Sequence, residues 1–194
     1  MSAFTWPPEH SESDAGSRPP AAAQIPAAVL VPLFLEPDTA EPHVVLTRRR
    51  ADLRRHAGEI SFPGGRRDAA DADLSDTALR EAEEEIGLPR AEVRLLGSLA
   101  PTSTFVTNYM IHPIVGLIPA GLAWRLSPVE VDAVLELGVG ALRSGRRRTR
   151  LERRGVSFET DAFGVDGHII WGATARILEN LLEQLDSLLA HPAS

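Results

Sequence analysis

Apolar residues fall into short runs along most of the chain, and turn-forming residues separate these runs. Such a pattern predicts β-strands. We predict strands at residues 27–35, 43–48, 58–62, 93–99, 110–118, 129–137, 156–163 and 168–171. Residues 164–167 separate the last two and begin and end with glycine, so we expect these two strands to pair as a hairpin.

Helical spacing of apolar residues occurs in two segments. Residues 76–86 place Ala78, Leu79, Ala82 and Ile86 on one arc of a helix. Residues 174–189 carry leucine at positions 178, 181, 182, 185, 188 and 189, which is also a helical spacing. We expect this leucine stripe to lie in the core, with a dimer face as the alternative. A short helix or turn is expected at residues 140–144.

The order of these elements predicts one α/β domain over residues 26–194. No internal repeat or linker divides it, and a chain of 194 residues suits a single domain with a full core. Residues 1–25 are rich in Pro, Ser, Ala and acidic residues, and we expect them to form a poorly ordered N-terminal arm. Phe4 and Trp6 offer the alternative that this arm is pinned to the domain.

Composition excludes several classes of protein. Cysteine is absent, which rules out disulfides and thiolate sites. No apolar run approaches the ~20 residues of a membrane span. The N-terminal residues lack the apolar segment of a secretory signal. We therefore expect a cytoplasmic protein with no membrane partner.

All 20 basic residues are arginine, and residues 146–154 form the densest basic run. This run predicts either a contact with phosphate or nucleic acid, or a solvated face of a hairpin. It has no interleaved aromatic residues, and a net charge of -7 argues against a nucleic-acid surface. We therefore favour the solvated hairpin face and expect no nucleic-acid partner.

Four glutamates fill five positions at the end of the first predicted helix. Like charges at helical spacing cost about 0.2–0.5 kcal/mol per pair, and the helix dipole disfavours anions in a last turn. Glu81, Glu84 and Glu85 share one arc, whereas Glu83 points away. Carboxylates at this density suit Mg²⁺ or Mn²⁺. The alternative is a solvated acidic face.

Residues 80–88, REAEEEIGL, resemble the second half of the Nudix box, G-x5-E-x7-R-E-U-x-E-E-x-G-U, where U is aliphatic. They match every fixed position when Ala82 is taken as the aliphatic residue. The first half departs from the box. Counted from Gly65, the expected glutamate is Asp71, and the stretch from Asp71 to Arg80 is one residue too long.

The segment ahead of the box narrows the resemblance to one branch of the Nudix family. Residues 46–65, LTRRRADLRRHAGEISFPGG, are similar to the motif L-L-T-x-R-S…L-R-x-H-x-G-x-[IV]-x-F-P-G-G of the coenzyme A pyrophosphatase branch. That branch shares the D-x-x-D loop and the one-residue insertion, and its W-G-x-T-A motif resembles residues 171–175. Arg50 is the main departure, because the branch often has Ser there.

This resemblance implies a Nudix-type α/β/α sandwich with a mixed β-sheet. It also implies an Mg²⁺- or Mn²⁺-dependent hydrolase that cuts coenzyme A, or its acyl or oxidised derivatives, to 3′,5′-ADP and 4′-phosphopantetheine. Glu81 and Glu85 are the expected metal ligands, with Glu84 as a third ligand or a support through water. The general base is open among Glu84, Glu81 and Glu130. We expect Arg80 to hold the glutamates by ion pairing.

Candidate substrate-binding residues precede the box. Arg54, Arg55 and His56 fall on a predicted loop near the Gly64–Gly65 corner, and arginine forks suit phosphate oxygens. The alternatives are a solvated loop and a structural histidine. The glycines permit a tight turn, and Ser61, with Phe62 and Pro63, is expected to shape the approach to it.

Two other functions stay open on the sequence. One is a Nudix hydrolase for another nucleoside diphosphate derivative, such as ADP-ribose or a dinucleotide. The other is a nucleotide-binding module without catalysis. The sequence also leaves open whether the chain is a monomer or a homodimer.

Overall fold

The computed structural model describes residues 24–52, 58–104, 108–153 and 155–190, with the backbone alone at positions 153 and 156. The strands are β1 Ile25–Leu35, β2 Pro42–Arg49, β3 Ile60–Ser61, β4 Gly64–Arg66, β5 Arg94–Ser98, β6 Thr102–Ser103, β7 Tyr109–Leu117, β8 Val131–Gly138, β9 Arg146–Arg153, β10 Val156–Val165 and β11 His168–Trp171. The helices are α1 Leu74–Ile86, α2 Val139–Gly145 and α3 Gly172–Ala190. A single 3-10 turn covers Arg90–Glu92.

Every predicted strand and helix is present, and three strands were not predicted. Strands β4 and β6 have only three and two residues, which is too short for a periodic pattern. Strand β9 reads RRRTRLER and has almost no apolar residue to signal it. It forms because its backbone pairs with β10, and its arginines at 146, 147, 148 and 150 are exposed. The four arginines thus lie exposed on a strand pair, as a solvated face requires, and the preference for such a face over a phosphate contact stays a prediction.

The main sheet is mixed and has eight strands. Its central path runs β3-β2-β1-β7-β5, with β4 pairing β1, β6 pairing β7 and β8 pairing β2. Strand β1 is antiparallel to β2 and parallel to β7. The remaining strands form a separate antiparallel sheet, β11-β10-β9, which includes the predicted hairpin. The predicted mixed sheet is confirmed, with this small second sheet added to it.

Helices cover both faces of the main sheet, because side chains alternate along β1. Ala28 and Leu30 point to a core shared with α1, whereas Val31 and Leu33 point to a core shared with α3. This is the expected α/β/α layering. On α3, Leu178, Leu181 and Leu182 are buried, and Leu185 is partly buried. The prediction of a core position is wrong for Leu188 and Leu189, which are 66% and 75% exposed because they line an open groove beside α2 at the C-terminal end of α3.

Within the described residues, no helix combines the length and the hydropathy that crossing a membrane requires.

Candidate active site

Helix α1 is fixed at both ends by local signals. It begins at Leu74, two residues before the prediction, because the Asp73 side chain accepts a hydrogen bond from the Asp76 amide at 2.9 Å. It ends at Ile86, and Gly87 adopts the left-handed conformation (φ 68°) that closes such helices. The fully buried Ala78, Ala82 and Ile86 set its rotation against the sheet.

This rotation turns Glu81 and Glu85 inward and leaves both Glu83 and Glu84 exposed, so the predicted grouping of Glu84 with the inner pair is not reproduced by burial. The Glu85 side chain is 4% exposed and that of Glu81 is 17% exposed, so both lie against the domain. The side chain of Glu84 is largely exposed. Glu83 is turned outward and accepts a hydrogen bond from Arg90 at 3.2 Å. The pair one turn apart, Glu81 and Glu85, therefore forms the inner part of the cluster.

The glycine corner lies directly against these carboxylates. Gly64 and Gly65 pair with Val29 and Ala28 of β1, which places the corner beside α1. A Cβ atom added to Gly65 would lie 2.4 Å from Glu81 Oε1, and one added to Gly64 would lie 2.4 Å from the Ala28 carbonyl oxygen. Only glycine fits at position 64, where the obstacle is backbone, whereas a side chain at position 65 would have to displace the Glu81 carboxylate. The upstream motif thus ends in contact with the acidic helix.

Arg80 links the Asp71 loop to the glutamates. The Asp71 side chain is 2% exposed and accepts two hydrogen bonds from Arg80, at 2.8 and 3.0 Å. Arg80 Nη1 then donates to Glu81 Oε1 at 2.9 Å and to Glu84 Oε2 at 3.2 Å. The predicted ion pairing by Arg80 is present in this geometry. Asp71, whose role the irregular box left open, is the anchor of that arginine.

Burial gives the inner glutamates an unusual affinity for protons. Desolvation raises the pKa of Glu85 to about 8, and the charges of Glu81 and Glu130 add to the rise while Arg49 opposes it. Desolvation also raises the pKa of Glu81, against the hydrogen bond from Arg80. Burial thus disfavours the charged forms of Glu81 and Glu85, and a cation bound beside them would stabilise those forms.

Glu130 is brought to this cluster by the segment 125–130. The amides of Arg125 and Ser127 donate to the carbonyls of Ile86 and Glu85 at 3.0 and 2.8 Å, so this segment caps the end of α1. The Arg50 amide donates to the Glu130 carbonyl at 3.0 Å. A groove of about 540 Å³ lies between this segment and Glu83 and Glu84.

Arg50 and Arg49 flank the same segment. The Arg50 guanidinium holds the Pro128 carbonyl at 2.8 Å and the Asp52 carboxylate at 2.7 and 2.9 Å. Arg49 lies 3.9 Å from Glu85 Oε1 and 4.0 Å from Glu130 Oε2. Arg49 was not among the predicted site residues. The signal was present, because Arg49 occupies the arginine position of the L-L-T-x-R-S pattern.

The structure brings some predicted substrate residues to the site and not others. Gly64 and Gly65 are in place. Arg54, Arg55 and His56 lie outside the described residues. Ser61 is turned to Thr47, with the two hydroxyl oxygens 3.5 Å apart, and no contact described for it reaches the glutamates. Its register in the β2–β3 pair decides this direction.

The donor chemistry suits a divalent cation, but the carboxylates do not form a finished cage. In the described ranges, no three His, Asp or Glu side chains converge as a ready-made metal site. Glu81 and Glu84 are both engaged by Arg80, and the Arg49 guanidinium lies 3.9 Å from Glu85 and 4.0 Å from Glu130. Their oxygens are the hard ligands that Mg²⁺ and Mn²⁺ prefer. The side chains fit the ion in type and charge, and they would have to regroup to hold it.

Known proteins resemble this chain in sequence and in fold. The family model described as NUDIX domain matches residues 24–123. The Nudix hydrolase NudL of Photorhabdus laumondii, named as uncharacterized, is 41% identical over 82% of this chain and 84% of its own length. A binary complex of the C. elegans Ap4A hydrolase has a TM-score of 0.56 at 12% identity, covering 84% of this chain and 98% of that one. The NUDIX domain of Shewanella oneidensis NrtR with ADP ribose has a TM-score of 0.54 at 16% identity, covering 90% and 95%.

The family match covers more than half of the chain and includes the glycine corner, the Asp71–Arg80 pair and all four glutamates of α1. The fold similarity extends over the whole α/β/α arrangement. The chain therefore belongs to the Nudix hydrolases, enzymes that cleave phosphoric anhydrides.

Proposed function

We propose that this hydrolase cuts the diphosphate of coenzyme A, or of its acyl or oxidised derivatives, to 3′,5′-ADP and 4′-phosphopantetheine. The observation that most supports this proposal is the contact between two motifs. The upstream motif, which resembles that of the coenzyme A branch, ends at Gly65, and Gly65 lies against the Glu81 carboxylate. A substrate recognised by the first motif would thus have its diphosphate beside the acidic helix.

Glu81 and Glu85 are the proposed ligands of Mg²⁺ or Mn²⁺, with Glu84 as the supporting carboxylate. A bound divalent cation would neutralise the charge of the diphosphate and lower the pKa of a water molecule that it coordinates. The chain supplies the positions of the carboxylates. Arg80, fixed by Asp71, orients Glu81 and Glu84 through its Nη1 atom.

Glu130 is the proposed general base among the three candidates. Glu81 and Glu84 both accept a hydrogen bond from Arg80, so each has an oxygen already engaged by a cation. The Glu130 side chain is 45% exposed and makes only the long contact with Arg49 among the ion pairs of the described residues. Its backbone is held between the end of α1 and the end of β2, so its carboxylate is placed beside the cluster.

Arg54, Arg55 and His56 are the proposed phosphate contacts. The Gly58 amide donates to the Arg49 carbonyl at 3.2 Å, and Asp52 binds Arg50. The described residues Asp52 and Gly58 therefore lie beside the end of β2. This position of Asp52 and Gly58 supports the proposal.

Incubation of the purified protein with coenzyme A and Mg²⁺ or Mn²⁺ tests the substrate. We expect 3′,5′-ADP as a product, detected by chromatography. Absence of 3′,5′-ADP together with good turnover of ADP-ribose or a dinucleotide would reject coenzyme A. That result would favour the second candidate, a hydrolase for another nucleoside diphosphate derivative, which the names of the structural neighbours with ADP ribose and Ap4A support.

A non-catalytic binding module is the third candidate, and it is tested separately. Such a module would bind nucleotides from a panel and hydrolyse none of them. The retention of Glu81, Glu84 and Glu85 beside the glycine corner favours an enzyme.

A further inference from the structure

The guanidinium of Arg49 lies close to two carboxylates but forms no hydrogen bond with either of them. Its Nη1 is 3.9 Å from Glu85 and its Nη2 is 4.0 Å from Glu130. Both distances exceed the ~2.7–3.2 Å of an N–H···O hydrogen bond. Its Nε atom is buried and has no hydrogen-bond partner in the part of the chain that the structure describes.

Neighbouring arginines are held far more firmly. Arg48 donates to Asp132 at 2.6 and 2.9 Å, and Arg50 donates to Asp52 at 2.7 and 2.9 Å. Arg80 donates to Asp71 at 2.8 and 3.0 Å. Arginine normally stabilises a carboxylate by such forked hydrogen bonds. Arg49 thus contributes its charge to the cluster without the geometry that would lock it in place.

When Glu85 is ionised and no metal is bound, the charge of Arg49 offsets part of the cost of its burial. The Glu85 side chain is 4% exposed, and a buried carboxylate is costly unless a cation compensates it. Its one ion pair within the described residues is the long contact with Arg49. Glu130, on the other side of the same guanidinium, is likewise 4.0 Å away. One loosely held cation therefore serves two carboxylates.

We propose that Arg49 is the resident counter-cation of the metal-free carboxylate cluster, and that it competes with a divalent cation for Glu85 and Glu130. The inference rests on the proposed metal-dependent function. A divalent cation carries twice the charge and approaches carboxylate oxygens to ~2.0–2.6 Å, so it displaces a guanidinium that forms no hydrogen bond to them. Arg49 consequently lowers the affinity for metal and stabilises the metal-free protein.

Binding of Mn²⁺ to the full chain without substrate tests this competition. Electron paramagnetic resonance or calorimetry would compare the wild type with Arg49→Gln. We expect the Kd for Mn²⁺ to fall by about 3–10-fold in Arg49→Gln, since a nearby positive charge is removed. Arg48→Gln is the matched control, because it makes the same change of charge at the next residue. Its side chain is bound to Asp132 instead, so we expect less than about a twofold change.

A lysine variant and thermal unfolding complete the test. Arg49→Lys keeps the charge, and we expect its Kd to stay within about twofold of the wild type. Metal-free Arg49→Gln should unfold at a lower temperature than Arg48→Gln, and saturating Mn²⁺ should raise its Tm more than it raises that of the wild type. If Arg49→Gln folds only when Mn²⁺ is present, the Tm measurement still supports the inference, because the metal then replaces the missing positive charge.

Three results would overturn the inference. One is an unchanged or weaker affinity of Arg49→Gln for Mn²⁺, and another is a gain in Tm no larger than that of the wild type. The third is an equal shift in Arg49→Lys, which would assign the effect to shape rather than charge. A wild type that does not bind Mn²⁺ would reject the proposed metal-dependent function as well. A wild type that binds Mn²⁺ while Arg49→Gln binds it equally would reject the inference alone.

Discussion

Asp71 and Arg80 form a bidentate ion pair, with Arg80 Nε 2.8 Å from Asp71 Oδ1 and Arg80 Nη2 3.0 Å from Asp71 Oδ2. The Thr77 hydroxyl and the Asp68 amide each donate to Oδ2 at 2.8 Å. Asp71 thereby ties its loop to α1 and leaves Arg80 Nη1 directed to Glu81. The Asp71 loop, although irregular for a Nudix box, positions the arginine that positions the glutamates.

Stability in acid should depend on Asp71. Its hydrogen bonds, chiefly those from Arg80, hold the pKa of Asp71 below its ordinary value. A carboxyl group with a lowered pKa in the folded state stabilises the protein above its unfolded pKa of ~4, and that contribution is lost as pH falls towards the folded value. We expect the urea midpoint of the wild type to fall more than that of Asp71→Asn between about pH 5 and pH 3.

Asp68→Asn is the control for this measurement, because Asp68 is 70% exposed and 4.0 Å from Arg80. It should keep the wild-type dependence on pH. Equal slopes for wild type and Asp71→Asn would show that the ion pair does not contribute to folding.

Alanine at position 65 should impair catalysis more than folding. The added Cβ would lie 2.4 Å from Glu81 Oε1 and would push this carboxylate from its place. Disturbing a residue that orients a metal ligand typically costs about 10–100-fold in metal affinity or activity. We expect such a loss in kcat/KM, with little change in Tm since Glu81 can move. Gly140→Ala is the matched control. Its added Cβ would displace the Glu41 carboxylate in the same way, but at α2, so this variant should retain activity.

Glutamine substitutions should show that the inner glutamates, Glu81 and Glu85, are needed for activity and that Glu83 is not. Either Glu81→Gln or Glu85→Gln removes a proposed metal ligand, and we expect kcat/KM to fall by at least about 100-fold. Glu83→Gln changes a side chain that binds Arg90 on the outer face, so its kcat/KM should stay within about twofold of the wild type. Activity and Mn²⁺ binding measured on all three variants check this order. A comparable loss in Glu83→Gln would contradict the assignment by helix angle.

Glu130→Gln should lower kcat with little effect on KM. Loss of a general base typically reduces the rate by about 10²–10⁴-fold. The low-pH limb of the kcat profile should also flatten, because the group that must be deprotonated is gone. Asp132→Asn is the control on the same strand end, since Asp132 binds Arg48 and not the cluster. An unaltered pH profile in Glu130→Gln would return the role of base to Glu84 or Glu81.

Several features of the site follow from local sequence alone. The 3.6-residue period placed Ala78, Ala82 and Ile86 in the core, and the same angles set Glu81 beside the buried Glu85. The Nudix box and the glycine corner were recognisable because their residues are consecutive. Helical phase and short motifs are properties of neighbouring residues, so no knowledge of the rest of the chain was needed.

Contacts between distant residues were decided only by tertiary structure. Arg49 pairs with Val131 in the β2–β8 ladder, which sets Glu130 beside Arg49 and the buried Glu85. The segment 125–130 reaches the same place by capping α1. Likewise, the spacing of the box assigned no role to Asp71, and only the folded loop shows that Asp71 binds Arg80.

The chain by itself thus determined the family, the acidic helix and the rotation of that helix, since each depends on order and period along the sequence. Which charged residues lie beside the carboxylates was determined by strand pairing and by burial. Those depend on which distant backbones hydrogen-bond, and no short stretch of residues specifies that choice.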